Sequence, residues 1–373
     1  MENNFNNRKN NGILSFEFVT MLKKRTTLKD IAEKLGISVA TVSRALKDHP
    51  EISQRIKDQV ALLVESMHYR PNSFAVHLKN QHSNMIGVII PKIVHFHSST
   101  ILSGIIAKAQ ELNYQVLICE SGKDAESERV NTTALINTGI DGLLVSLSNN
   151  NFSEDFFSEL HAEGFPMVFF DKVPTTIASH KVLTNDYTGA FLATEHLIKN
   201  NYKKIAHFKG QKGARNTQPR FNGYMAALEK YKLSFDQKFV IECEKCTEEE
   251  GYNLTMQIMQ QDEKPDAIFC VNDEMAIGTL CALKKLNIDV PSQVGVIGFS
   301  DLTAGKYITP SLSTIAQSGI DIGHKAAELL IKEIHNKLKN DKVFQQHIIE
   351  PILIVRDSSS RHHLNALKST LSA

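Results

Sequence analysis

At 373 residues, 42% hydrophobic and 22% charged, the chain has the material for two or three globular domains and is not disordered over most of its length. No apolar run approaches the ~18–20 residues that a membrane-spanning helix needs. Residues 1–20, rich in Asn, lack the basic-then-apolar order of a secretory signal, so the chain is expected in the cytoplasm without a membrane partner. Net charge is only +1 but unevenly placed: residues 21–80 hold eleven Lys/Arg against six Asp/Glu, whereas residues 81–373 hold 29 against 33. A basic segment ahead of a mildly acidic body suits a polyanion-binding head on a globular core.

The head begins with Thr27-Leu28-Lys29-Asp30, the spacing of a capping box. Leu28, Ile31, Ala32 and Leu35 follow at helical period, and Gly36 offers a left-handed stop. After a very short turn, Ser38 caps a second helix running to about Lys47. Val42, Ala45 and Leu46 form its apolar face, while Val39, Ala40, Ser43 and Arg44 lie on the other. Two short helices with a tight turn, the second offering small residues and one guanidinium outward, is the helix-turn-helix pattern. Small side chains let such a helix enter the major groove, where Arg44 can bridge guanine O6 and N7 and Val39 or Ala40 can meet a thymine methyl. Ser53 is expected to cap a third helix striped by Ile56, Val60, Leu63, Val64 and Met67. Then Tyr69-Arg70-Pro71-Asn72 stops it, and Asn72 can cap a segment, 73–79, too short to be a stable helix in isolation. Leu78 at its end is suited to wedging between base steps in the minor groove.

From residue 84 onward, short continuous apolar runs alternate with helical stretches. Strands are expected at 85–90, 115–119, 142–146, 166–170, 181–184, 204–208, 267–270 and 294–297. Continuous rather than alternating runs indicate strands covered on both faces, hence parallel sheets in two doubly wound halves. Such halves bind ligands beyond their strand C-termini. Asp171, Arg220, Asn272, Ser300 and Asp301 fall at such ends or near them, and together could share hydrogen bonds with adjacent sugar hydroxyls. Asp186 and Asp273 read instead as helix caps.

Five cysteines, an odd number without a signal peptide, indicate free thiols in a reducing compartment. Cys243-Glu-Lys-Cys246 has redox or half-zinc-site spacing, but no second pair completes it, so it reads as two ordinary thiols near a strand end. No metal site and no cofactor are expected. Phosphate-loop, nucleophile-elbow and His-Glu-x-x-His motifs are absent from the sequence, and Gly295-Val296-Ile297-Gly298 lies within a strand, so the chain is not read as an enzyme.

The segments Thr27-Leu28-Lys29-Asp30-Ile31-Ala32, Gly36 to Leu46 and Tyr69-Arg70-Pro71-Asn72 resemble the head of the lactose/galactose-repressor (LacI/GalR) family. That resemblance implies an all-α helix-turn-helix head followed by an α/β body of two doubly wound parallel-sheet lobes, built like a periplasmic sugar-binding protein. It implies DNA contacts through Thr27, Ser38, Val39, Ala40, Thr41, Ser43, Arg44, Asn72 and Leu78, and effector contacts through Asp171, Arg220 and Asn272. The sequence departs from the family at His95-Phe96-His97-Ser98, where an aromatic cluster is common, and at Ser300-Asp301, where an Asp often comes first. Phe96, His97, Ser300 and Asp301 therefore join the candidate ligand set. The expected organisation is a disordered tail (1–25), the head (26–70), a hinge helix and linker (71–83), the body (84–358) and a C-terminal tail (359–373). Within the body, the chain would cross three times between an N-lobe of about 84–171 plus 316–347 and a C-lobe of about 172–315 plus 348–358. The implied function is a homodimeric, repressor-type transcription regulator that binds palindromic double-stranded DNA under control of a small sugar-type effector. The alternative is a carbohydrate-binding protein without DNA function, which the basic head argues against.

Overall fold

The computed structural model describes residues 26–69, 82–122, 124–148, 153–336 and 343–361. The expected N-terminal tail, residues 70–81 with the expected hinge helix, Asn72 and Leu78, and residues 362–373 lie outside the described residues, whereas Ser359 and Ser360 are buried and extend the body past the expected end at 358. The chain divides into two compact units, residues 1–83 and 84–373.

Among the described residues the first unit holds three helices: α1 (Leu28–Leu35), α2 (Val39–Leu46) and α3 (Gln54–Ser66). Thr27 and Asp30 form the capping box reciprocally: the Thr27 N–H donates to Asp30 Oδ2 at 2.7 Å, and the Thr27 hydroxyl oxygen accepts from the Asp30 N–H. Gly36, at φ +65°, ends α1 in the left-handed region, where a side chain would be strained. Ser38 caps α2 by accepting from the Thr41 N–H at 3.0 Å. Ile31, Ala32, Val42, Ala45 and Val60 form the small core. Two expectations are corrected. Leu46 is 41% exposed, because Ala45 takes the inward place at the end of α2. Ser53 stands at the start of α3, but its side chain makes no capping bond.

The second unit contains two six-stranded sheets. The first joins β1 (Met85–Ile90), β2 (Gln115–Glu120), β3 (Gly142–Val145), β4 (Met167–Phe170), β5 (His180–Thr184) and β11 (Gln346–Ile349) in the order β11-β5-β4-β3-β1-β2, all parallel. The second joins β6 (Ile205–Lys209), β7 (Val240–Glu242), β8 (Ala267–Cys270), β9 (Gly295–Phe299), β10 (Ser313–Ala316) and β12 (Ile352–Ile354) in the order β12-β10-β9-β8-β6-β7. Only β12 runs antiparallel to its neighbour. The central strands of each sheet are buried on both faces, which is why they read as unbroken apolar runs. Ile86, Val88 and Ile90 pack under helices α4 (Phe96–Glu111) and α11 (Gly319–His335). Ile89, Leu143 and Val145 cover the opposite face with α5 (Ala125–Asn137) and α6 (Ser153–Ala162). In the second lobe, α7 (Asp186–Lys199) and α8 (Thr217–Lys230) cover one face, and α9 (Glu248–Ile258) and α10 (Asp273–Lys285) the other. The α4–α11 pair is close because a β-carbon on Gly104 would sit 2.3 Å from the Ile320 carbonyl oxygen.

The chain crosses between lobes three times, after β5, after β10 and after β11. The first crossing follows Thr184, not residue 171: β5 pairs with β4, Val168 opposite His180, and extends the first sheet. The connection 171–179 carries no helix, so the usual βαβ rhythm does not announce that strand.

Candidate functional site

In the head, α2 presents Ser38, Val39, Ala40 and Arg44 as exposed side chains, with Thr41 and Ser43 half-buried. Val42 and Ala45, turned inward, fix which face is left free. Thr27, also exposed, stands at the start of α1. Arg44 lies 3.5 Å from Glu51, both more than half exposed, a pairing weak enough to be exchanged for another acceptor.

In the body, a cavity of about 450 Å³ lies between the lobes, at the C-terminal ends of both sheets. The first lobe contributes Lys92, His95, His97, Glu120 and Asp171, and the second Thr217, Arg220, Cys246, Asn272 and Ser300. Gln317, just after β10, lies in the floor. The Ser300 hydroxyl donates to Gln317 Oε1 at 3.2 Å, and Gln317 Nε2 donates to the Thr184 hydroxyl at 3.3 Å, so one amide links the strand ends of the two lobes.

Asp171 follows β4 directly at φ +56°, a conformation that Asp tolerates better than most residues. His97, near the start of α4, places Nε2 3.4 Å from Asp171 Oδ1, an ion-pair contact too loose for a good hydrogen bond. Both His97 ring nitrogens are buried and make no hydrogen bond within the protein. Burial opposes the Asp171 charge, but His97, Lys172 and Arg220 outweigh it and hold the carboxyl below its usual range.

The second lobe's polar groups are differently placed. Arg220, 4% exposed, donates through Nε to Asp186 Oδ1 at 2.8 Å and through a terminal nitrogen to the Val271 carbonyl, and its guanidinium lies 3.7 Å from the Phe299 ring centre. Burial pushes the Asp186 carboxyl up, against the pull of Arg220. Asn272 caps α10: its Oδ1 accepts from the Met275 N–H, and its Nδ2 donates to the Cys246 carbonyl, each at 2.9 Å.

The structure thus brings His97, Asp171, Arg220, Asn272 and Ser300 to one cavity. Phe96 and Asp301 do not line it. Asp301, at φ +55° after Ser300 at φ +125°, is turned toward Arg356 at 2.5 Å and Lys306 at 3.5 Å. Asp186 and Asp273 are not the caps they were expected to be. Each is the first residue of its helix, and the preceding Asn185 or Asn272 does the capping. Lys92, Glu120, Thr217 and Gln317 were missed, because nothing in the local sequence marks a loop residue that becomes cavity wall only when two lobes face each other.

Two further contacts tie lobe to lobe. His95 lies 3.8 Å from Glu274 on α10. Arg215, ahead of α8, pairs with Glu154 on α6, whose carboxylate also accepts from the Thr176 hydroxyl. Among the described residues no cluster of His, Cys, Asp or Glu could hold a metal ion, and no helix is long and apolar enough to cross a membrane.

Comparisons with known proteins agree with these features. Residues 27–72 match the family described as bacterial regulatory proteins, lacI family, and residues 194–359 match a periplasmic binding protein-like domain. The chain is 29% identical to the ribose operon repressor of Haemophilus influenzae over 333 residues, 89% of this chain and 98% of that protein. It is 28% identical to the HTH-type transcriptional repressor PurR of Vibrio atlanticus over 322 residues, 86% and 96% of the two chains. The crystal structure of the Lac repressor dimer bound to operator and the anti-inducer ONPF has the same fold, with a TM-score of 0.80 at 23% identity over 90% of this chain and all of that one.

Proposed function

The chain belongs to the lacI family of bacterial regulatory proteins, and from that premise we propose a repressor whose grip on a palindromic operator is set by a small polyhydroxylated effector held between the lobes. The observation that carries this reading is the joining, in one chain, of a helix-turn-helix with a free small-residue face and a cavity at the facing strand ends of two doubly wound lobes. An enzyme needs no such head, and a carrier gains nothing from it.

One head reads one half-site, so two copies related by a twofold axis read a palindrome. Val39, Ala40 and Arg44 supply the base contacts, Arg44 by bridging two guanine acceptors, while Thr27, Ser38, Thr41 and Ser43 serve the backbone. In the body, His97 and Asp171 offer a ring and a carboxylate to ligand hydroxyls, and Ser300 adds a hydroxyl. The name of one relative, a ribose operon repressor, favours a sugar or a sugar derivative. A ligand that binds one lobe arrangement better than another shifts the population between them, and the coupling to DNA is reciprocal.

Selection of bound sequences from a random duplex pool should return a twofold-symmetric site. Arg44→Ala should weaken binding to it by ~1–3 kcal/mol and relax the preference at one base position, measured by fluorescence anisotropy. Equal binding to symmetric and scrambled duplex would refute the reading. A thermal-shift screen of the full chain against sugars, sugar acids and nucleobases identifies the effector class.

A further inference from the structure

The Cys243-Glu-Lys-Cys246 turn has no part in reading DNA, yet its position is specific. It links β7 to α9, and Cys246 lines the cavity while Cys243 lies beneath it, 3% exposed in the second lobe's core. Neither is in a disulfide, and both pack in the same apolar cluster. The turn between them is held from outside: the N–H groups of Glu244, Lys245 and Cys246 all donate to the Glu250 carboxylate, at 2.6, 2.9 and 2.6 Å. Cys246 sits at φ +55°, a strained place for a residue with a β-carbon, which folds the chain back toward Cys243. Contact with the Cys246 sulfur, with burial added, pushes the Cys243 thiol up, so Cys243 stays protonated beside its partner. The Cys246 carbonyl in turn accepts from Asn272, the cap of α10 in the cavity wall.

We propose that Cys243 and Cys246 are an oxidisable dithiol built into the cavity wall, which a hydroperoxide converts to an intramolecular disulfide that disturbs the start of α10. Cys246, reachable from the cavity, reacts first. Its thiolate attacks one peroxide oxygen, the O–O bond breaks, and the departing hydroxide takes up the thiol proton as water, leaving a sulfenic acid. The Cys243 sulfur then attacks the Cys246 sulfur, the S–O bond breaks, and hydroxide leaves with the Cys243 proton as a second water. Two thiols lose two electrons, and hydrogen peroxide gains them. Disulfides in a reducing compartment are typically transient and signalling rather than structural, which fits a site with one half-buried and one covered sulfur. The dithiol stands whether or not the cavity takes a sugar.

The test treats the reduced full chain with hydrogen peroxide, blocks remaining thiols with a maleimide and maps the peptides without reductant. Trypsin cuts after Lys245, so the disulfide appears as two joined peptides, with two of the five thiols lost to the maleimide. Cys246→Ser should leave Cys243 fully alkylatable. Cys243→Ser should stop at a dimedone-reactive sulfenic acid on Cys246, and should it fail to fold, Cys246→Ser still decides the point. Hydrogen exchange at the Met275 amide, which donates to the Asn272 side chain, should quicken several-fold on oxidation. Persistence of both thiols under peroxide that consumes Cys119 or Cys281, or a disulfide joining two copies, overturns the dithiol. Unchanged exchange at Met275 overturns its link to the cavity.

Discussion

The two walls of the cavity use polar residues in opposite ways. On the second-lobe side, Arg220 is bound to Asp186, to the Val271 carbonyl and to the face of Phe299, and Asn272 is committed at both ends of its amide. On the first-lobe side, His97 has two buried ring nitrogens without a hydrogen bond in the protein, facing Asp171 across 3.4 Å. A buried polar group already satisfied has little left to offer a ligand, and one left unsatisfied is stabilised by whatever satisfies it. On the proposed reading, Arg220 and Asn272 therefore serve mainly as fixed wall, and His97 is the group whose bonding changes most on binding.

The largest expected effect breaks that comparison if it is absent. Arg220→Ala strands Asp186 in the second lobe without its partner and removes the stacking on Phe299, so unfolding in urea should show a loss of ~3–5 kcal/mol. Replacing both, Arg220→Met with Asp186→Leu, should recover much of that loss, because no unpaired charge remains. A loss below ~1 kcal/mol in the single variant would mean that Arg220 belongs to the ligand rather than to the wall.

A second test sharpens the same contrast through pH. Asp273 is fully buried in the second lobe. Burial pushes its carboxyl up to about 7, while the Thr314 hydroxyl and the Leu302 N–H, at 2.7 and 2.6 Å, pull the other way. The folded chain thus holds a proton that the unfolded chain releases near 3.8. The stability this group lends is fully present below about pH 4 and is lost as pH rises through 7. Across that window the wild type should lose on the order of 4 kcal/mol more than Asp273→Asn, read from urea midpoints at stepped pH. Parallel pH profiles for the two proteins would place the titrating group elsewhere.

What the sequence made legible follows the range of the interaction. The capping box of Thr27 and Asp30, the Gly36 stop and the Ser38 cap involve residues at most three apart, and all three are where the pattern placed them. The buried central strands announce themselves because both of their faces are covered. β5 did not declare its lobe, since the helix-free connection 171–179 gives no rhythm to count, and the first crossing was placed too early. In the cavity, position at a strand end located Asp171, Asn272 and Ser300 correctly, but the role of a side chain depends on partners far away in the chain. Arg220 meets an Asp 34 residues before it, and Asp301 meets an Arg 55 residues after it. No local pattern distinguishes a residue turned toward the cavity from one turned toward such a partner.

The smallest stability effect belongs to His97→Ala, and it is the one that separates scaffold from recognition. Removing the ring takes away two buried nitrogens that form no hydrogen bond within the protein, but also the group facing the Asp171 carboxyl, so the unfolding free energy should fall by ~1–2 kcal/mol, less than in Arg220→Ala. The same change deletes the group facing Asp171, and with it one side of the contact a hydroxylated ligand would complete. Calorimetric titration with the effector identified by thermal shift should therefore show a loss of at least ~1–3 kcal/mol in binding, larger than the loss in stability. The ratio of the two losses is the informative quantity. For Arg220→Ala, stability should fall by at least as much as affinity; for His97→Ala, affinity should fall by more than stability. Were His97→Ala to unfold the first lobe while leaving affinity intact in the folded fraction, the division of labour between the two walls would be reversed.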